Sequence, residues 1–254
     1  MSRQLTLPSN RLCAAAEIAA VSLYDGETKN LCAIDVGCDH AKLAIYLVQS
    51  GICSHVTACD INKGPVNKAK ENVSRRTLMG KPLCEYIDVV CTDGLDGLDN
   101  VKANRIFILG MGGELIADIL RKAHFLRSDE LKGKIKFILQ PMTSEDELRV
   151  YLYTNGFQIT DEVMVLDKDR VYAIISAVYD GKKRQGTKAE MLLGKHNIEK
   201  GTSLFERQLK RRIKITEKAL DNREKSGLES EQLKELLQEM KNIEVKLDVQ
   251  RCND

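Results

Sequence analysis

The chain reads Leu31-Cys-Ala-Ile-Asp-Val-Gly-Cys-Asp-His40 and, after a short intervening segment, His55-Val-Thr-Ala-Cys-Asp60. Both runs begin with mostly apolar residues and end in polar ones, which is typical of strands buried on both faces of a parallel sheet. Residues 41–49 between them have the apolar periodicity of a helix, which stops at Ser50-Gly51. The pattern predicts a βαβ unit with a glycine turn after its first strand and a carboxylate at the tip of its second strand.

The carboxylate at the second strand tip, Asp60, suits a ribose because it can accept hydrogen bonds from both hydroxyls. The turn limits which adenosine-bearing cofactor is expected. A dinucleotide site needs Gly-x-Gly-x-x-Gly so that a pyrophosphate can approach the backbone, whereas Asp39 and His40 stand where the later glycines would be. Asp39 would repel a pyrophosphate but tolerate a cationic amino acid. The turn therefore favours S-adenosylmethionine, which carries a sulfonium and an ammonium group and no phosphate.

The rest of the first 180 residues alternates between strand and helix patterns. Strands are predicted at 31–36, 55–59, 86–91, 105–109 and 135–139, followed by a hairpin of 158–166 and 170–178. Helices are predicted from Pro8-Ser9-Asn10 to Asp25-Gly26-Glu27, over 41–49, from Lys63 to Met79, from 113 to 126, and from Thr143 or Ser144 to Asn155. This order predicts an α/β, doubly wound, Rossmann-like sheet with one antiparallel edge strand, as in class I methyltransferases.

The composition excludes some classes of protein. With 254 residues, of which 43% are hydrophobic, the chain can hold one α/β domain and a smaller appendage. The net charge of +2 identifies no partner. Eight cysteines without a Cys-x-x-Cys pair, and only four histidines, predict no metal site and suit a reducing compartment. No apolar run resembles a signal peptide or a membrane span, so we expect a cytoplasmic protein without membrane contact.

The composition changes after Gly181, at the charged segment Lys182-Lys183-Arg184-Gln185-Gly186. We therefore predict one domain over residues 1–182 and a helical domain over residues 188–254. Two mostly apolar rows at four-three-four spacing predict an antiparallel helical hairpin with a coiled-coil seam. The rows are Leu209, Ile213, Thr216 and Leu220, then Leu236, Met240, Ile243 and Leu247, and Ser226-Gly227 separates them.

Four motifs in this order resemble those of the bacterial tRNA (adenine-22-N1)-methyltransferase family. They are Asp35-Val-Gly-Cys-Asp-His40, Asp93-Gly94-Leu95, Gly110-Met-Gly-Gly113 and Leu139-Gln-Pro141. The resemblance implies a class I methyltransferase domain with a C-terminal coiled coil. It also implies that S-adenosylmethionine methylates N1 of adenosine 22 in the tRNA D-loop. The chain departs from the family pattern at Lys42, where an aromatic residue often stands, and at Met142, where asparagine often stands.

The candidate cofactor-binding residues lie at or just after predicted strand ends. They are Asp35, Gly37, Cys38, Asp39, His40, Asp60, Ile61, Asp93, Gly94 and Gly110. Three of the four acids also have a structural explanation that stays open. Asp35 could cap the helix that follows it, Asp39 could be a helix N-cap, and Asp93 could belong to a simple Asp-Gly turn.

The predicted catalytic residues are Asp39, Gly110, Met111 and Gly112. Methyltransferases that act on exocyclic amines place an Asn-Pro-Pro-Tyr-type loop at this strand end, and the glycine-rich run has no side chain that could accept from an amine. That absence fits a ring nitrogen such as adenine N1, whose lone pair needs no proton removed before attack. The glycines would let the backbone approach base and cofactor closely, and Asp39 could orient the adenine amino group. Close strand–helix packing is the alternative explanation of the glycines.

The predicted substrate-binding residues are Arg11, Lys42, Gln140, Pro141, Arg211 and Arg212. The four cations would contact tRNA phosphates, and the Gln-Pro pair at the end of the fifth strand would touch the base. For the C-terminal cations the alternative is a solvated helix face, and for the Gln-Pro pair it is a simple turn.

Three other functions stay open at this point. A nicotinamide-dependent Rossmann oxidoreductase is disfavoured by Asp39 and His40 in the turn. A methyltransferase for another RNA base or for a protein is compatible with the same residues. A non-catalytic RNA-binding scaffold, with the coiled coil as its functional part, is disfavoured by the complete set of cofactor residues.

Overall fold

The computed structural model describes residues 8–23, 30–226 and 228–253. The strands in these ranges are β1 (Cys32–Val36), β2 (His55–Asp60), β3 (Thr77–Leu78), β4 (Lys81–Pro82), β5 (Ile87–Cys91), β6 (Arg105–Gly112), β7 (Lys136–Thr143), β8 (Phe157–Asp167) and β9 (Arg170–Tyr179). The helices are α1 (Asn10–Ala20), α2 (Lys42–Gln49), α3 (Lys63–Ser74), α4 (Gly113–Lys122), α5 (Glu145–Thr154), α6 (Lys188–Leu193), α7 (Lys195–Lys200), α8 (Ser203–Lys225) and α9 (Glu231–Asn253).

Seven strands form one sheet in the order β5-β2-β1-β6-β7-β9-β8, and β3 and β4 form a separate small hairpin. Neighbouring strands in the part of the sheet ordered β5-β2-β1-β6-β7 pair in parallel, whereas β9 is antiparallel to both β7 and β8. The predicted Rossmann-like methyltransferase sheet is confirmed. In such a sheet the carboxyl ends of the parallel strands share one edge, where ligands bind.

The prediction that the antiparallel strand lies at the edge of the sheet is wrong. This strand, β9, lies between β7 and β8. The burial of the two hairpin strands explains this order. Residues 173–178 of β9 are all buried, whereas the buried residues of β8 are interspersed with exposed and half-buried ones. A strand covered on both faces belongs inside a sheet, and a partly polar strand is tolerated at its edge.

Three predicted helix ends are wrong. The helix that begins at Lys63 ends at Ser74, because the chain then enters the β3–β4 hairpin. The turn of that hairpin is Met79-Gly80, whose φ angles are 49° and 83°, and two left-handed residues are what a two-residue hairpin turn requires. α4 ends at Lys122, and a 3-10 turn follows it. α1 ends at Ala20, and its predicted end at residues 25–27 lies outside the described residues.

The strands β6 and β7 are longer than predicted. Both continue beyond the expected ends, Leu109 and Leu139, around a bulge at Gly110. Pro141 is tolerated within β7 because the pairing of β7 with β9 stops at Leu139. The residues expected to form loops after these two strands therefore belong to a paired extension of the sheet.

Two buried cations determine the direction of α1. Arg105 and Lys136 begin β6 and β7, and both donate hydrogen bonds to carbonyls at the end of α1. Arg105 Nε lies 2.7 Å from the Ala19 oxygen, and Lys136 Nζ lies 3.0 Å from the Ile18 oxygen. Cations are favourable there because the last carbonyls of a helix lack intrahelical partners. Since β6 and β7 begin opposite the carboxyl edge, the first turn of α1, with Arg11, lies towards that edge.

The chain divides into two compact units, Met1–Arg184 and Gln185–Asp254. In the second unit, α8 and α9 form the predicted antiparallel hairpin, joined by ion pairs of Lys234 with Glu224 and of Lys241 with Glu217. Five residues of the two predicted rows are buried, namely Leu209, Ile213, Thr216, Met240 and Leu247, and Leu220, Leu236 and Ile243 are half-buried. The sequence analysis did not predict α6 and α7, which precede this hairpin. Gly227, part of the predicted break, lies outside the described residues.

Candidate active site

The carboxylate of Asp60 lies at the tip of β2 and is held by backbone amides. Its Oδ1 accepts a hydrogen bond from the Asn62 amide at 2.9 Å, and its Oδ2 accepts one from the Asp39 amide at 3.4 Å. The second bond ties the carboxylate to the glycine turn after β1, the neighbouring strand. A carboxylate has about four acceptor sites, so these two bonds leave capacity for hydroxyl donors at the edge of the sheet.

The turn between β1 and α2 has a strained backbone. Gly37, Asp39 and Ala41 have positive φ angles of 73°, 50° and 57°. A left-handed conformation costs a residue with a side chain about 1–2 kcal/mol, so other contacts must hold this turn. One of them is the hydrogen bond from the Gly37 amide to the Cys59 carbonyl at 2.8 Å. Maintained strain of this kind is common in loops that contact ligands.

The structure excludes one alternative for Asp39. The N-cap position of α2 is Ala41, so Asp39 is not its N-cap. The Asp39 carboxylate is exposed, and its Oδ1 lies 3.3 Å from Nε2 of the half-exposed His40 ring. Asn72 of α3 donates a hydrogen bond to the His40 carbonyl at 3.1 Å. The two side chains therefore stand at the surface while their backbone is anchored.

Asp35 is the most perturbed acid of this edge. Burial raises its pKa to about 7, the charge of Asp60 adds to the rise, and a hydrogen bond from the Ala44 amide opposes it. That bond supports the helix-capping explanation, but Oδ2 of Asp35 has no hydrogen-bond partner among the described residues. Such a buried oxygen is costly, and a cation or a hydrogen-bond donor would relieve it. Burial also raises the pKa of Cys38, and that of Cys59 to about 12, so both thiols stay protonated at neutral pH.

The segments after β2 and β5 complete this part of the edge. Ile61 is 59% exposed at the tip of β2 and offers an apolar surface. The exposed Asp93 carboxylate lies 3.5 Å from Lys122 Nζ. Gly94 has a φ of 59°, and its carbonyl accepts a bond from the Cys59 thiol at 3.4 Å. We call the region formed by the ends of β1, β2 and β5 the cofactor edge, after the ligand predicted to lie there.

The glycines at the end of β6 have different neighbours. Gly110 lies in the bulge with a φ of 77°, is exposed, and would place an added methyl group 3.2 Å from Arg11 Nη1. A methyl group at Gly113 would overlap the backbone carbonyl of Ser144. Close packing therefore explains Gly113, whereas the surface above Gly110 is open to a ligand. We call the region formed by the ends of β6 and β7 the base edge, after the group predicted to lie there.

Met111 joins the cofactor edge to the base edge. A methyl group added at Gly37 would overlap the terminal carbon of Met111, so this side chain lies against the glycine turn. Gly112 follows in β6, and a methyl group there would lie 3.4 Å from the hydroxyl of Thr143 in β7. The predicted catalytic glycine run is thus placed between the turn and β7.

The Arg11 guanidinium is held by three elements that are distant in sequence. Its Nη1 donates to Oε1 of Gln140 at 2.6 Å, and its Nε lies 3.7 Å from Oδ2 of Asp167. Its central carbon lies 5.8 Å from the centre of the Tyr172 ring. The residues of this Arg11 cluster come from α1, β7, β8 and β9, and they place the guanidinium beside Gly110.

The prediction that Gln140 and Pro141 follow the end of the fifth strand is wrong. Both are buried inside β7, because the strand continues to Thr143. Gln140 Oε1 accepts from Arg11, and Nε2 donates to the Pro141 carbonyl at 2.8 Å and contacts the Met142 sulfur at 3.5 Å. The amide is fully engaged within the protein, so it does not present a free polar group to a base.

The remaining predicted cations differ in exposure. Lys42 is exposed at the start of α2. In the second unit Arg211 is exposed, whereas Arg212 is half-buried. Arg211 belongs to an exposed row at four-three-four spacing along α8, which we call the basic row: Arg207, Arg211, Lys214 and Lys218. Residues at this spacing share one helix face. No ion pair joins the row to any carboxylate in the described part of the chain.

S-adenosylmethionine fits the groups of the cofactor edge. The unpartnered oxygen of Asp35 and the exposed carboxylates of Asp39 and Asp60 offer acceptors to two cationic groups and two ribose hydroxyls. The same three carboxylates would disfavour a pyrophosphate.

The sequence matches the family model described as tRNA (adenine(22)-N(1))-methyltransferase, TrmK, over residues 33–245. The chain belongs to this family. The tRNA (adenine(22)-N(1))-methyltransferase of Bacillus subtilis (strain 168) is 30% identical to it over 213 residues, which cover 81% of this chain and 84% of that protein.

Solved structures of family members give the cofactor. Streptococcus pneumoniae Sp1610 in complex with S-adenosyl-L-methionine is 27% identical, with a TM-score of 0.74 over 92% of this chain and 97% of that one. M. capricolum TrmK in complex with S-adenosyl-homocysteine is 25% identical, with a TM-score of 0.70 over 96% of this chain and 99% of that one. The prediction of S-adenosylmethionine is confirmed, and the nicotinamide alternative is wrong.

The described residues contain neither a metal-binding cluster nor a membrane-spanning helix. No group of three His, Cys, Asp or Glu side chains there could hold a metal ion. No helix in the same ranges is long and apolar enough to cross a membrane.

Sequence reasoning missed Asp167 and Tyr172. Asp167 fell between the two predicted strands of the hairpin and Tyr172 within the second, and neither was given a role. No local signal could have found them, because the contacts join distant parts of the chain. Arg11 and Gln140 are 129 residues apart, and the bond from Asn10 Nδ2 to the Leu166 carbonyl spans 156 residues.

Proposed function

We propose a division of roles among these residues in the reaction of the family, the transfer of a methyl group from S-adenosylmethionine to N1 of adenosine 22 in tRNA. The cofactor occupies the cofactor edge and the target base lies over the base edge. The observation that carries this assignment is the Asp60 carboxylate, which two backbone amides hold at the strand tip next to the glycine turn.

At the cofactor edge, Asp60 accepts hydrogen bonds from the ribose hydroxyls and Ile61 packs on the adenine ring of the cofactor. Asp93 accepts from the adenine amino group, and Asp35 faces the cationic methionine part. The turn and the bulge complete the contact set with Gly37, Cys38, Asp39, His40, Gly94 and Gly110. The buried, unpartnered oxygen of Asp35 and the exposure of Ile61 support these roles.

At the base edge, the chemistry requires alignment more than proton transfer. The lone pair of adenine N1 lies in the plane of the ring and is free to attack, so no general base is needed. The open backbone of the Gly110 bulge, with Met111 and Gly112, lets the base approach the methyl group, which contributes through proximity and orientation. The exposed carboxylate of Asp39 accepts a hydrogen bond from the amino group of the target adenine.

The partner is a tRNA, and the enzyme must expose adenine N1, which base pairs or tertiary contacts otherwise hide. We propose that Lys42 and the basic row contact phosphates, because exposed cations without carboxylate partners are the groups that neutralise a nucleic-acid backbone. Because the substrate is a cellular tRNA, we further propose that the protein acts in the cytoplasm.

The test is to incubate the protein with labelled S-adenosylmethionine and unmodified bulk tRNA and to map the methyl group by nucleoside mass spectrometry. We expect N1-methyladenosine at position 22, and none on a tRNA transcript with guanosine at that position. Methylation of another base would replace the substrate assignment. Cofactor binding without transfer to any tRNA would indicate a different substrate, and no cofactor binding would support a scaffold.

A further inference from the structure

Arg11 differs in its exposure and its partners from the cations proposed to contact tRNA phosphates. The Arg11 side chain is 29% exposed, and Asp167, whose side chain is 14% exposed, compensates its charge. Two of its nitrogens are oriented by Gln140 and Asp167, and the Tyr172 ring lies beside it. In contrast, the basic row is exposed and has no carboxylate partner among the described residues.

This arrangement is unfavourable for a phosphate contact. A phosphate gains most from a cation whose charge is not already neutralised, and it tolerates a flexible side chain. A guanidinium held in one plane by an amide, a carboxylate and a ring is suited to directional hydrogen bonding. Its Nη2 has no hydrogen bond to any group in the described ranges, so donors of this nitrogen remain available above Gly110.

We propose that Asp167 and Gln140 are positioning residues that hold Arg11 to contact the target adenine, and that Arg11 donates to a ring acceptor of the base other than N1. Adenine has two such acceptors, N3 and N7. Occupying either one fixes the base while the N1 lone pair stays free. This inference rests on the proposed function and gives Arg11, Gln140 and Asp167 a role in the substrate specificity of the enzyme.

The Asp167 carboxylate also has an electrostatic role in this assignment. The positive charge at the site begins on the sulfonium of the donor and ends on the methylated ring, because the N1–carbon bond forms as the carbon–sulfur bond breaks. An uncompensated guanidinium would repel that charge throughout. Paired with Asp167, Arg11 can supply hydrogen-bond donors at the base without adding a net charge.

The first test separates a base contact from a phosphate contact. In Arg11→Ala we expect kcat for methylation of tRNA to fall by about a hundredfold, while the slope of log Kd for tRNA against log salt stays unchanged. Arg211→Ala is the comparison for a phosphate contact, and we expect it to lower the slope by about 1. If Arg11→Ala lowers the slope and leaves kcat intact, Arg11 is a phosphate contact and the proposal is wrong.

The second test asks whether Asp167 acts through Arg11. We expect Asp167→Asn, which preserves the shape of the side chain, to lower kcat by about tenfold, and the same change in an Arg11→Ala background to have no additional effect. Asp167→Glu should restore part of the rate. Asp169→Asn, the same charge change in the exposed hairpin turn, is the control and should match the wild type. Independent, additive losses from Arg11→Ala and Asp167→Asn would overturn the positioning role.

Two further measurements keep the outcomes distinct. Cofactor affinity by calorimetry and the thermal midpoint should change little in Asp167→Asn, so a misfolded variant is recognised before its rate is interpreted. If the wild-type protein itself makes no N1-methyladenosine, the proposed function fails. If the wild type is active and the Arg11 and Asp167 variants match it, only this inference fails.

Discussion

The cofactor edge and the base edge lie side by side on one sheet, but they are built in different ways. The cofactor edge comes from residues 35–61 and 91–94, where a strand, a turn and the next strand bring the acids together locally. The base edge depends on α1, β7 and the β8–β9 hairpin, which meet only in the folded protein. A site built from one local unit can be read from a motif, whereas a site built from distant segments cannot.

The largest expected effect is at the base edge, in Gly113→Ala. The added methyl group would overlap the Ser144 carbonyl, which is backbone and cannot rotate away. We expect the free energy of unfolding to fall by about 3 kcal/mol, measured by chemical denaturation. Gly64→Ala in α3 is the control, since nothing lies within 4 Å of the added group. Equal stability of the two variants would show that the β6–α4 junction is not tightly packed.

The next largest effect is expected at the cofactor edge, where loss of Asp60 should weaken cofactor binding. Asp60→Ala should weaken binding of S-adenosylmethionine by about 1–3 kcal/mol, the cost of losing a charge-assisted hydrogen bond. Affinity for tRNA should stay close to that of the wild type. The affinity is measured by calorimetry. Asp88 is an exposed acid of β5 that pairs with His55, so Asp88→Ala controls for the loss of a negative charge. An unchanged affinity in Asp60→Ala would refute its role at the ribose.

A smaller effect is a pH dependence that only the cofactor edge should show. Burial raises the pKa of Asp35 to about 7, and a cationic cofactor favours the ionised form. Affinity for S-adenosylmethionine should therefore rise by about tenfold between pH 6 and pH 8, and Asp35→Asn should remove most of that rise. Titrations by calorimetry at several pH values check this, and identical profiles for both proteins would contradict it.

In the unliganded protein, Asp35 should make the free energy of unfolding fall as the pH rises, whereas cofactor affinity rises with pH. Its folded-state pKa lies above the unfolded value of 3.8, so between about pH 4 and 7 the folded state binds more protons than the unfolded one. The contribution of Asp35 to stability therefore falls as the pH rises through that window. Denaturation of the wild type and of Asp35→Asn without cofactor measures the difference.

The smallest expected effect concerns the second unit. Arg211 is exposed in the basic row, whereas Arg212 is half-buried. We expect Arg211→Ala to lower the salt slope of tRNA binding by about 1, and Arg212→Ala to lower it less. Fluorescence titrations over a range of salt concentrations make the comparison. Equal slopes for both variants and the wild type would exclude this face of α8 from phosphate contact.

Two kinds of information were readable from the order of residues. The apolar runs that end in Val36 and Asp60 specified the βαβ unit, because strands buried on both faces appear as short apolar runs, which can be recognised without knowing their neighbours. The four-three-four rows of α8 and α9 specified their shared seam for the same reason. The acids at strand ends were recognisable because a parallel sheet always brings its carboxyl ends to one edge.

By itself, the sequence determined the Rossmann-like sheet and the helical hairpin, and it placed the candidate cofactor residues at strand ends, since each of these rests on spacing within one or two neighbouring elements. Only the tertiary structure decided that β9 lies inside the sheet and that Gln140 is buried. It alone brought Asp167 to Arg11. The physical reason is that these features depend on which segments bury most apolar surface and on contacts between residues more than a hundred positions apart. A local sequence pattern does not specify such distant contacts.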